Sequence, residues 1–162
     1  MAVWRGHTYQ PHRKNFISVT EKLPFCNVAD TSTASLKKNP NTWMPMTEQL
    51  KYKIIFSVEG AEVATNLKWI MGSQSLCFMQ RPKYETWFRE GQLIPGFHYV
   101  EIAKDLSDIS EKFQYYTTHI EKAEEIIKNA NSYVEEFKDP YKQYELAKAV
   151  AYKYFQIIGK KR

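Results

Sequence analysis

The run YKIIFSV, residues 52–58, is the feature of this sequence that most narrows its possible folds. Its apolar residues are so closely spaced that both sides of a strand formed here must be covered by other parts of the chain. Strands of this kind belong to parallel sheets that carry helices on both faces. The run therefore predicts an α/β fold in which residues 52–58 form a strand of a parallel sheet.

Other strand-like and helix-like segments alternate along the chain, which supports the same fold class. The further predicted strands are residues 2–5, 25–30, 75–79 and 97–102, and the first two predicted helices are residues 11–23 and 62–71. Residues 31–47 are rich in Ser, Thr, Asn, Lys and Pro and predict a long loop. Helical periodicity then dominates, and Asp108 and Glu111 have capping-box spacing. We expect one domain, residues 1–162, with residues 105–162 as a helical C-terminal part.

The net charge of +5 suits a partner that carries phosphate, such as a sugar nucleotide, an anionic membrane surface or a nucleic acid. The charges are spread along the chain, and only the tail GKKR, residues 159–162, is a basic cluster. Nucleic-acid binding is disfavoured because the tyrosines near the C-terminus follow helical periods and no basic stripe interleaves with them. These are Tyr115, Tyr116, Tyr152 and Tyr154.

Two further residue types give no sign of a metal or a disulfide. Cys26 and Cys77 lie 51 positions apart, which is no metal motif, and we expect two reduced, partly buried thiols. The four histidines (His7, His12, His98 and His119) are scattered, and we assign them no metal role. The chain has no apolar run long enough to span a membrane and no signal-peptide core at its start, so a cytoplasmic location is expected.

The segment FSVEGAEVATNLKW, residues 56–69, marks a candidate site. In parallel sheets, ligands lie beyond the carboxyl ends of the strands. Gly60 would let the backbone leave the strand sharply and approach a ligand, and the N–H groups of a following helix would favour an anion. An ordinary turn glycine is the alternative, and neither GxGxxG nor GxxxxGK[ST] is present. The residues alone thus predict an α/β domain with a possible anion site.

Several motifs, taken in order, resemble glycosyltransferase family 90, the capsule- and lipopolysaccharide-type family that also contains the animal protein O-glucosyltransferases. They are AVWRG, EGAEVATNLKW and RPKYETWF. The resemblance runs over residues 3–155 and is closest to the bacterial lipopolysaccharide branch. It implies an inverting transferase of the GT-B type, with two Rossmann-like domains facing a cleft. It also implies a UDP-sugar donor, a saccharide acceptor, no metal and no other cofactor.

Within that family this chain resembles the C-terminal, nucleotide-binding half. We therefore expect the UDP-hexose-binding half of an enzyme of lipopolysaccharide or capsule saccharide synthesis, at the inner face of the bacterial membrane. The half that supplies the family's general base is not matched, so no catalytic residue is named. A non-catalytic sugar-nucleotide-binding module, or a truncated product that needs a partner chain, stays open as the alternative. We expect the last helix to meet such a companion half or a second copy.

The resemblance also implies which residues bind the donor. Arginine side chains would hold the diphosphate, backbone N–H groups after the glycine would form a cradle, and an acidic-aromatic loop would line the sugar end of the cleft. Where the animal branch has arginines, this chain has Glu59 and Asn66, as the bacterial branch does. The implied donor-binding residues are Arg5, Gly6, Arg13, Gly60, Ala61, Glu62, Val63, Ala64, Thr65, Asn66, Lys68, Tyr84, Glu85 and Trp87.

Overall fold

The computed structural model describes residues 1–159, so the last three residues of the predicted basic tail lie outside the described residues. Five parallel strands form one sheet in the order β2-β1-β3-β4-β5. The strands are β1 (Ala2–Gly6), β2 (Cys26–Asp30), β3 (Ile54–Ser57), β4 (Leu76–Met79) and β5 (Val100–Glu101). The parallel α/β sheet predicted from the apolar run is confirmed.

Seven helices connect and follow the strands within the described residues. They are α1 (Pro11–Thr20), α2 (Thr33–Lys38), α3 (Met46–Gln49), α4 (Leu67–Met71), α5 (Ile109–Thr118), α6 (Ile120–Glu135) and α7 (Pro140–Gly159). Short 3₁₀ turns occur at Pro40–Thr42 and Glu90–Gln92. None of the helices in this part of the chain combines the length and the apolar character that crossing a bilayer requires.

Successive residues of a strand point to opposite faces of the sheet, so the strands supply apolar side chains to both faces. Helices cover both of these faces. On one face the buried side chains pack with Phe16 of α1 and Ile109 of α5. On the other they pack with Leu67 and Ile70 of α4 and with Tyr133 of α6. All four residues of β3 are buried, as expected for a strand that is covered on both sides. Both cysteines are free thiols, also as predicted.

Aromatic packing fixes the position of α1. The ring of Phe16 meets Trp4 of β1 edge-to-face at 5.5 Å between centroids and Phe56 of β3 at 5.1 Å. Arg13 precedes Phe16 by three positions and therefore lies on the same side of α1. Anchoring Phe16 under β1 and β3 thus brings Arg13 to the carboxyl ends of these two strands.

Asp30, at the end of β2, joins the loops that follow β1 and β2. Its Oδ1 accepts hydrogen bonds from the backbone N–H of Thr8 and of Ser32, and its Oδ2 accepts from the hydroxyls of Ser32 and Ser35. Partial burial opposes ionisation, but the hydrogen bonds from Ser35, Ser32 and Thr8 outweigh it and lower the pKa of Asp30 to about 2. The carboxylate therefore stays charged and holds the edge of the sheet near the candidate site.

Two local predictions were wrong. The segment 31–47 is not a loop throughout, since it contains α2, a 3₁₀ turn and the start of α3; these turns bury little, so hydrophobic periodicity does not reveal them. Asp108 precedes α5 but makes no capping bond to its first turn. Its carboxylate instead accepts from the N–H of Ala103 and pairs with Lys112, because the loop after β5 folds back against it.

Candidate functional site

The candidate site lies where the strand order reverses. The chain leaves β1 for β2 on one side and returns to β3 on the other, so β1 and β3 are neighbours whose connections diverge. In open parallel sheets such a point leaves a crevice beyond the carboxyl ends of the strands. Arg5 and Gly6 end β1 here, and the segment that follows β3, residues 58–66, forms what we call the Gly60 corner.

Arg13 binds the Gly60 corner directly. Its guanidinium donates to the carbonyl oxygens of Glu59 (2.8 Å) and Val58 (2.6 Å), and to that of His7 in the loop after β1 (3.1 Å). It also lies over the ring of Trp4, 5.5 Å from the centroid. Partial burial lowers the pKa of Arg13, but a guanidinium remains charged in proteins. Within residues 1–159, three of its five N–H groups donate to protein acceptors, which leaves two without an acceptor.

The backbone of the Gly60 corner makes few hydrogen bonds within the protein. Across the described chain, the six N–H groups of residues 61–66 find no acceptor in the protein, whereas that of Gly60 donates to the carbonyl of Glu62. The helix predicted to begin at Glu62 begins only at Leu67, so this prediction was wrong. The reason lies in the anchoring of the loop: Ala64 is buried, and Asn66 donates from Nδ2 to the carbonyl of Phe56. Loop amides without protein acceptors, and not a helix N-terminus, therefore follow Gly60, and anion binding by them stays a prediction.

Arg5 is turned toward β2. Its guanidinium donates to the carbonyl oxygens of Trp4 (2.9 Å) and Asn27 (2.8 Å) and to Oδ1 of Asn27 (2.8 Å). Within residues 1–159 its buried Nε has no hydrogen-bond partner, and burial lowers the pKa of the side chain. Arg5 thus acts first as a tie between β1 and β2, and a phosphate contact from it stays a prediction.

Gly6 leaves room for the ring of Trp4, which lies two positions earlier in β1. A Cβ atom at this position would lie 2.5 Å from Cζ2 of the Trp4 ring, which is fully buried. Since the ring is held between α1 and the sheet, it has no room to move aside. The glycine of the WRG motif is therefore required by packing, whatever its role toward a ligand.

Two cavities flank the Gly60 corner. The larger cavity, of about 440 Å³, lies between the start of α1 and the loops after β3, β4 and β5; its lining includes Asn15, Phe16, Gln80, Lys83, Tyr84 and Leu106. The smaller cavity, of about 300 Å³, lies over the end of β1, where Arg5, Gly6, Arg13, Thr31, Thr65 and Asn66 line it. Gly60 and Ala61 line the larger cavity, so the corner separates the two. Cavities of this size accept small organic ligands.

Glu59 organises the corner through both its backbone and its side chain. Its carbonyl accepts from Arg13 and from Nε2 of His12 (2.7 Å). Its carboxylate oxygen Oε1 accepts from the N–H groups of Lys83 (2.9 Å) and Tyr84 (3.4 Å), which draws the loop after β4 against the corner. The negative charge is thus directed at backbone donors, so its repulsion of an anion at the free amides is reduced.

The remaining predicted residues are not all brought to this point. Tyr84 lines the larger cavity, with about half of its side chain exposed. Trp87 donates from Nε1 to Gln143 of α7 (2.6 Å), and Lys68 places its Nζ 5.8 Å from the centroid of the Phe88 ring. Neither cavity is lined by the side chains of Glu62, Val63, Ala64, Lys68, Glu85 or Trp87.

Sequence reasoning missed most residues of the larger cavity, among them His12, Gln80, Lys83, Lys104 and Leu106. Gln80 directly follows β4, and Lys104 and Leu106 lie just beyond β5. Position after a strand end was the available signal, because all carboxyl ends of a parallel sheet meet at one edge. This signal was weak for the loop after β5, because that strand has only two residues and its last residue was difficult to predict from the sequence.

Comparison with known proteins supports the resemblance to glycosyltransferase family 90. The model of the family "Glycosyl transferase family 90" matches residues 1–158. O-glucosyltransferase LpsA of Dichelobacter nodosus is 41% identical over 157 residues, which cover 96% of this chain and 49% of that protein.

Animal proteins match more distantly. Protein O-glucosyltransferase 2 of Danio rerio is 26% identical over 130 residues, covering 76% of this chain and 26% of that protein. Protein O-glucosyltransferase 1 of Rattus norvegicus is 26% identical over 141 residues, covering 82% and 36%. The chain therefore spans about half, or less, of the length of these curated relatives.

Proposed function

Because this chain belongs to glycosyl transferase family 90, we propose that it is the nucleotide-sugar-binding half of an inverting glycosyltransferase. Its donor is a UDP-hexose, and its pathway is the synthesis of a lipopolysaccharide or capsule saccharide. The sheet is then the Rossmann-like C-terminal domain of a GT-B enzyme. The names of the relatives favour glucose as the transferred sugar, since they are O-glucosyltransferases.

One observation carries this proposal: at the point where the strand order reverses, Arg13 holds the Gly60 corner, whose six N–H groups at residues 61–66 have no acceptor within the described residues. A row of free amides beside a guanidinium is a site for phosphate oxygens. The two unused N–H groups of Arg13 add charge-assisted donors that are already oriented by the protein. A diphosphate is therefore the anion that suits the corner best.

In the transfer reaction these groups stabilise the leaving group. Negative charge grows on the diphosphate as the glycosidic bond breaks, and donors fixed in advance meet that charge without reorganisation. By analogy with oxyanion holes, each well-placed donor contributes about 3 kcal/mol to lowering the barrier. The reaction proposed is metal-independent, and the base that deprotonates the acceptor hydroxyl comes from outside this chain.

The alternative is a non-catalytic sugar-nucleotide-binding module or a half-molecule that acts with a partner chain. It is favoured by α7, which buries none of its residues within the described chain. Its exposed apolar side chains suit a companion half or a second copy. A cytoplasmic site of action at the inner face of a bacterial membrane remains part of the proposal.

Calorimetric titration of UDP, UDP-glucose and ADP into the full chain tests the donor site. We expect weak binding that prefers the uridine nucleotides. Arg13→Ala should weaken UDP binding by about tenfold or more, the loss that follows from removing a charge-assisted hydrogen bond. Equal and negligible heats for all three nucleotides would remove the binding function.

A charge-matched control separates the role of Arg13 from the effect of net charge. Arg81 is exposed, pairs only loosely with Glu101 (3.5 Å), and lines neither cavity. Arg81→Ala should leave UDP binding unchanged. Thermal melting of both variants shows whether the fold is retained.

A separate experiment distinguishes an enzyme from a non-catalytic module: release of glucose from UDP-glucose is measured with and without a saccharide acceptor.

A further inference from the structure

We propose that Glu59 is a positioning residue for donor binding. Its carboxylate fastens residues 82–85, in the loop after β4, to the Gly60 corner, and this effect outweighs the repulsion between its charge and a bound diphosphate. The inference rests on the proposed function, because its effect is measured on the donor. Glu59 is not among the donor-binding residues that the family resemblance implies.

Residues 82–85 depend on Glu59 for their hydrogen bonds. Within residues 1–159, this segment makes two, from the backbone N–H groups of Lys83 (2.9 Å) and Tyr84 (3.4 Å), and Oε1 of Glu59 accepts both. The bond from Lys83 is the stronger of the two, since it is shorter. Lys83, Tyr84 and Glu85 are exposed, so packing holds the segment only weakly. The carboxylate is therefore its main attachment to the Gly60 corner.

Both ends of the segment are held by other contacts. Gln80 precedes it and donates from Nε2 to the carbonyl oxygens of Ala103 (3.2 Å) and Lys104 (3.1 Å) in the loop after β5. Thr86 follows it and donates from its N–H (2.6 Å) and its hydroxyl (2.8 Å) to the buried carboxylate of Glu90. Loss of the Glu59 carboxylate should therefore release the residues between Gln80 and Thr86 and leave the sheet in place.

The segment matters because two of its side chains reach the candidate site. Lys83 and Tyr84 both line the larger cavity. A ligand that meets a freely moving segment must order its backbone and side chains, which lowers the affinity. The bonds to Glu59 fix the backbone of these two residues before a ligand arrives, so less ordering is left for the binding step.

The charge of Glu59 acts in the opposite direction, because a carboxylate near a diphosphate raises the energy of the bound state. Two contacts limit this repulsion. The N–H groups of Lys83 and Tyr84 face the carboxylate, and Arg13 donates to the carbonyl oxygen of the same residue (2.8 Å), which brings a positive charge close to it. Positioning and repulsion thus predict opposite changes in affinity when the carboxylate is altered.

Three substitutions of Glu59 separate the two effects in calorimetric titration with UDP. Glu59→Gln removes the charge but keeps an oxygen within reach of the N–H groups, and UDP affinity should stay within about threefold of that of the unmodified chain. Glu59→Ala removes the same charge together with the oxygen, and Glu59→Asp keeps the charge on a side chain that is one methylene shorter. Both should lower UDP affinity about tenfold, the effect expected from losing hydrogen bonds to a charged acceptor.

Amide hydrogen exchange of the UDP-free proteins supplies a second readout. The N–H groups of Lys83 and Tyr84 should exchange faster, on the order of tenfold, in Glu59→Ala and Glu59→Asp, and at nearly the unmodified rate in Glu59→Gln. Glu62→Gln is the control for charge. Glu62 is exposed in the same corner, and its side chain makes no hydrogen bond or ion pair within the described residues. Removing its charge should raise UDP affinity by about twofold or less.

The results distinguish this inference from the proposed function. If Glu59→Gln and Glu59→Ala raise UDP affinity equally, as Glu62→Gln does, repulsion is the stronger effect and the inference is wrong, while the proposed function stands. Equal UDP affinity in the unmodified chain and the three Glu59 variants would also refute it. If the unmodified chain does not bind UDP, both fall. Should Glu59→Ala melt at a lower temperature, the other pair decides: Glu59→Gln must bind UDP more tightly than Glu59→Asp, although only the aspartate variant keeps the charge.

Discussion

At the scale of single residues, Arg13 shows how one side chain can hold two loops of a candidate site together. Its bonds to three carbonyl oxygens hold the loop after β1 against the Gly60 corner. A lysine could not do this, because an ammonium group lacks the planar fork of a guanidinium. The sequence supported Arg13 by family resemblance alone; the anchoring of Phe16 one turn later is the physical reason that it reaches the corner.

Gly60 is expected to matter for binding more than for folding. A Cβ atom here would lie 3.3 Å from Cζ and Nη2 of Arg13, so Gly60→Ala must displace the guanidinium by a few tenths of an ångström. We expect UDP affinity to fall several-fold in calorimetry, with a loss in unfolding free energy of about 1 kcal/mol or less. Gly159→Ala is the matched control, since a Cβ there meets nothing. Unchanged UDP affinity in Gly60→Ala would show that the position of the guanidinium is irrelevant.

Asp30 gives the fold a measurable dependence on pH. Its pKa of about 2 in the folded state is below the ordinary value of 3.8, so it stabilises the fold above about pH 4, and this contribution is lost as the pH falls toward 2. Asp30→Asn should lower the unfolding free energy by about 1 kcal/mol at neutral pH, a value reduced by solvent screening of the half-buried carboxylate. Urea unfolding at several pH values measures this, and the two proteins should converge near pH 2. If the difference in unfolding free energy between the two proteins stayed constant down to that pH, the effect would come from packing and not from the charge of Asp30.

At the scale of elements, the strands were predictable and the connections were not. Dense apolar runs such as residues 52–58 indicate covered strands because few other structures bury both sides. The stretch from Glu62 to Asn66 satisfies helical periodicity equally well, yet it forms a loop. Its conformation depends on Ala64 entering the core and on Asn66 reaching back to β3, and neither contact can be read from local sequence.

For helix α7, the sequence predicted the helix but not what its apolar side chains contact. Its apolar residues recur at helical spacing, as predicted, but none of its side chains is buried in the described chain. Its exposed large apolar residues include Tyr144, Leu146, Val150, Tyr154, Phe155, Ile157 and Ile158. Exposed apolar surfaces of this kind are typical of interaction sites, and periodicity alone cannot say whether the interaction is within the same molecule.

We expect the isolated chain to self-associate through α7. Substituting Val150→Glu together with Phe155→Glu should abolish the concentration dependence of sedimentation, because charges on the apolar face oppose its burial. The unfolding free energy should change by roughly 0.5 kcal/mol or less, since both side chains are exposed. Lys153→Glu with Gln156→Glu adds acidic residues on the polar side and should leave association in place. A chain that sediments as a monomer before any substitution would refute the expectation.

At the scale of the whole molecule, the topology explains why the site is where it is. Five parallel strands bring five carboxyl ends to one edge, and the reversal between β1 and β3 opens that edge at the Gly60 corner. The residues that line the site come from β1, from α1 and from the loops after β3, β4 and β5. Family resemblance could name residues after β1, β3 and β4; the loop after β5 became part of the site only through the fold.

The most direct test of this account is an amide NMR titration of the full chain with UDP. The account predicts that the largest shifts fall on the N–H groups of residues 61–66 and on the side-chain Nε of Arg13, because these donors meet the diphosphate. Smaller shifts should follow in the loops after β4 and β5. Shifts that leave residues 61–66 unchanged and concentrate on α7 or elsewhere would contradict a diphosphate site at the Gly60 corner.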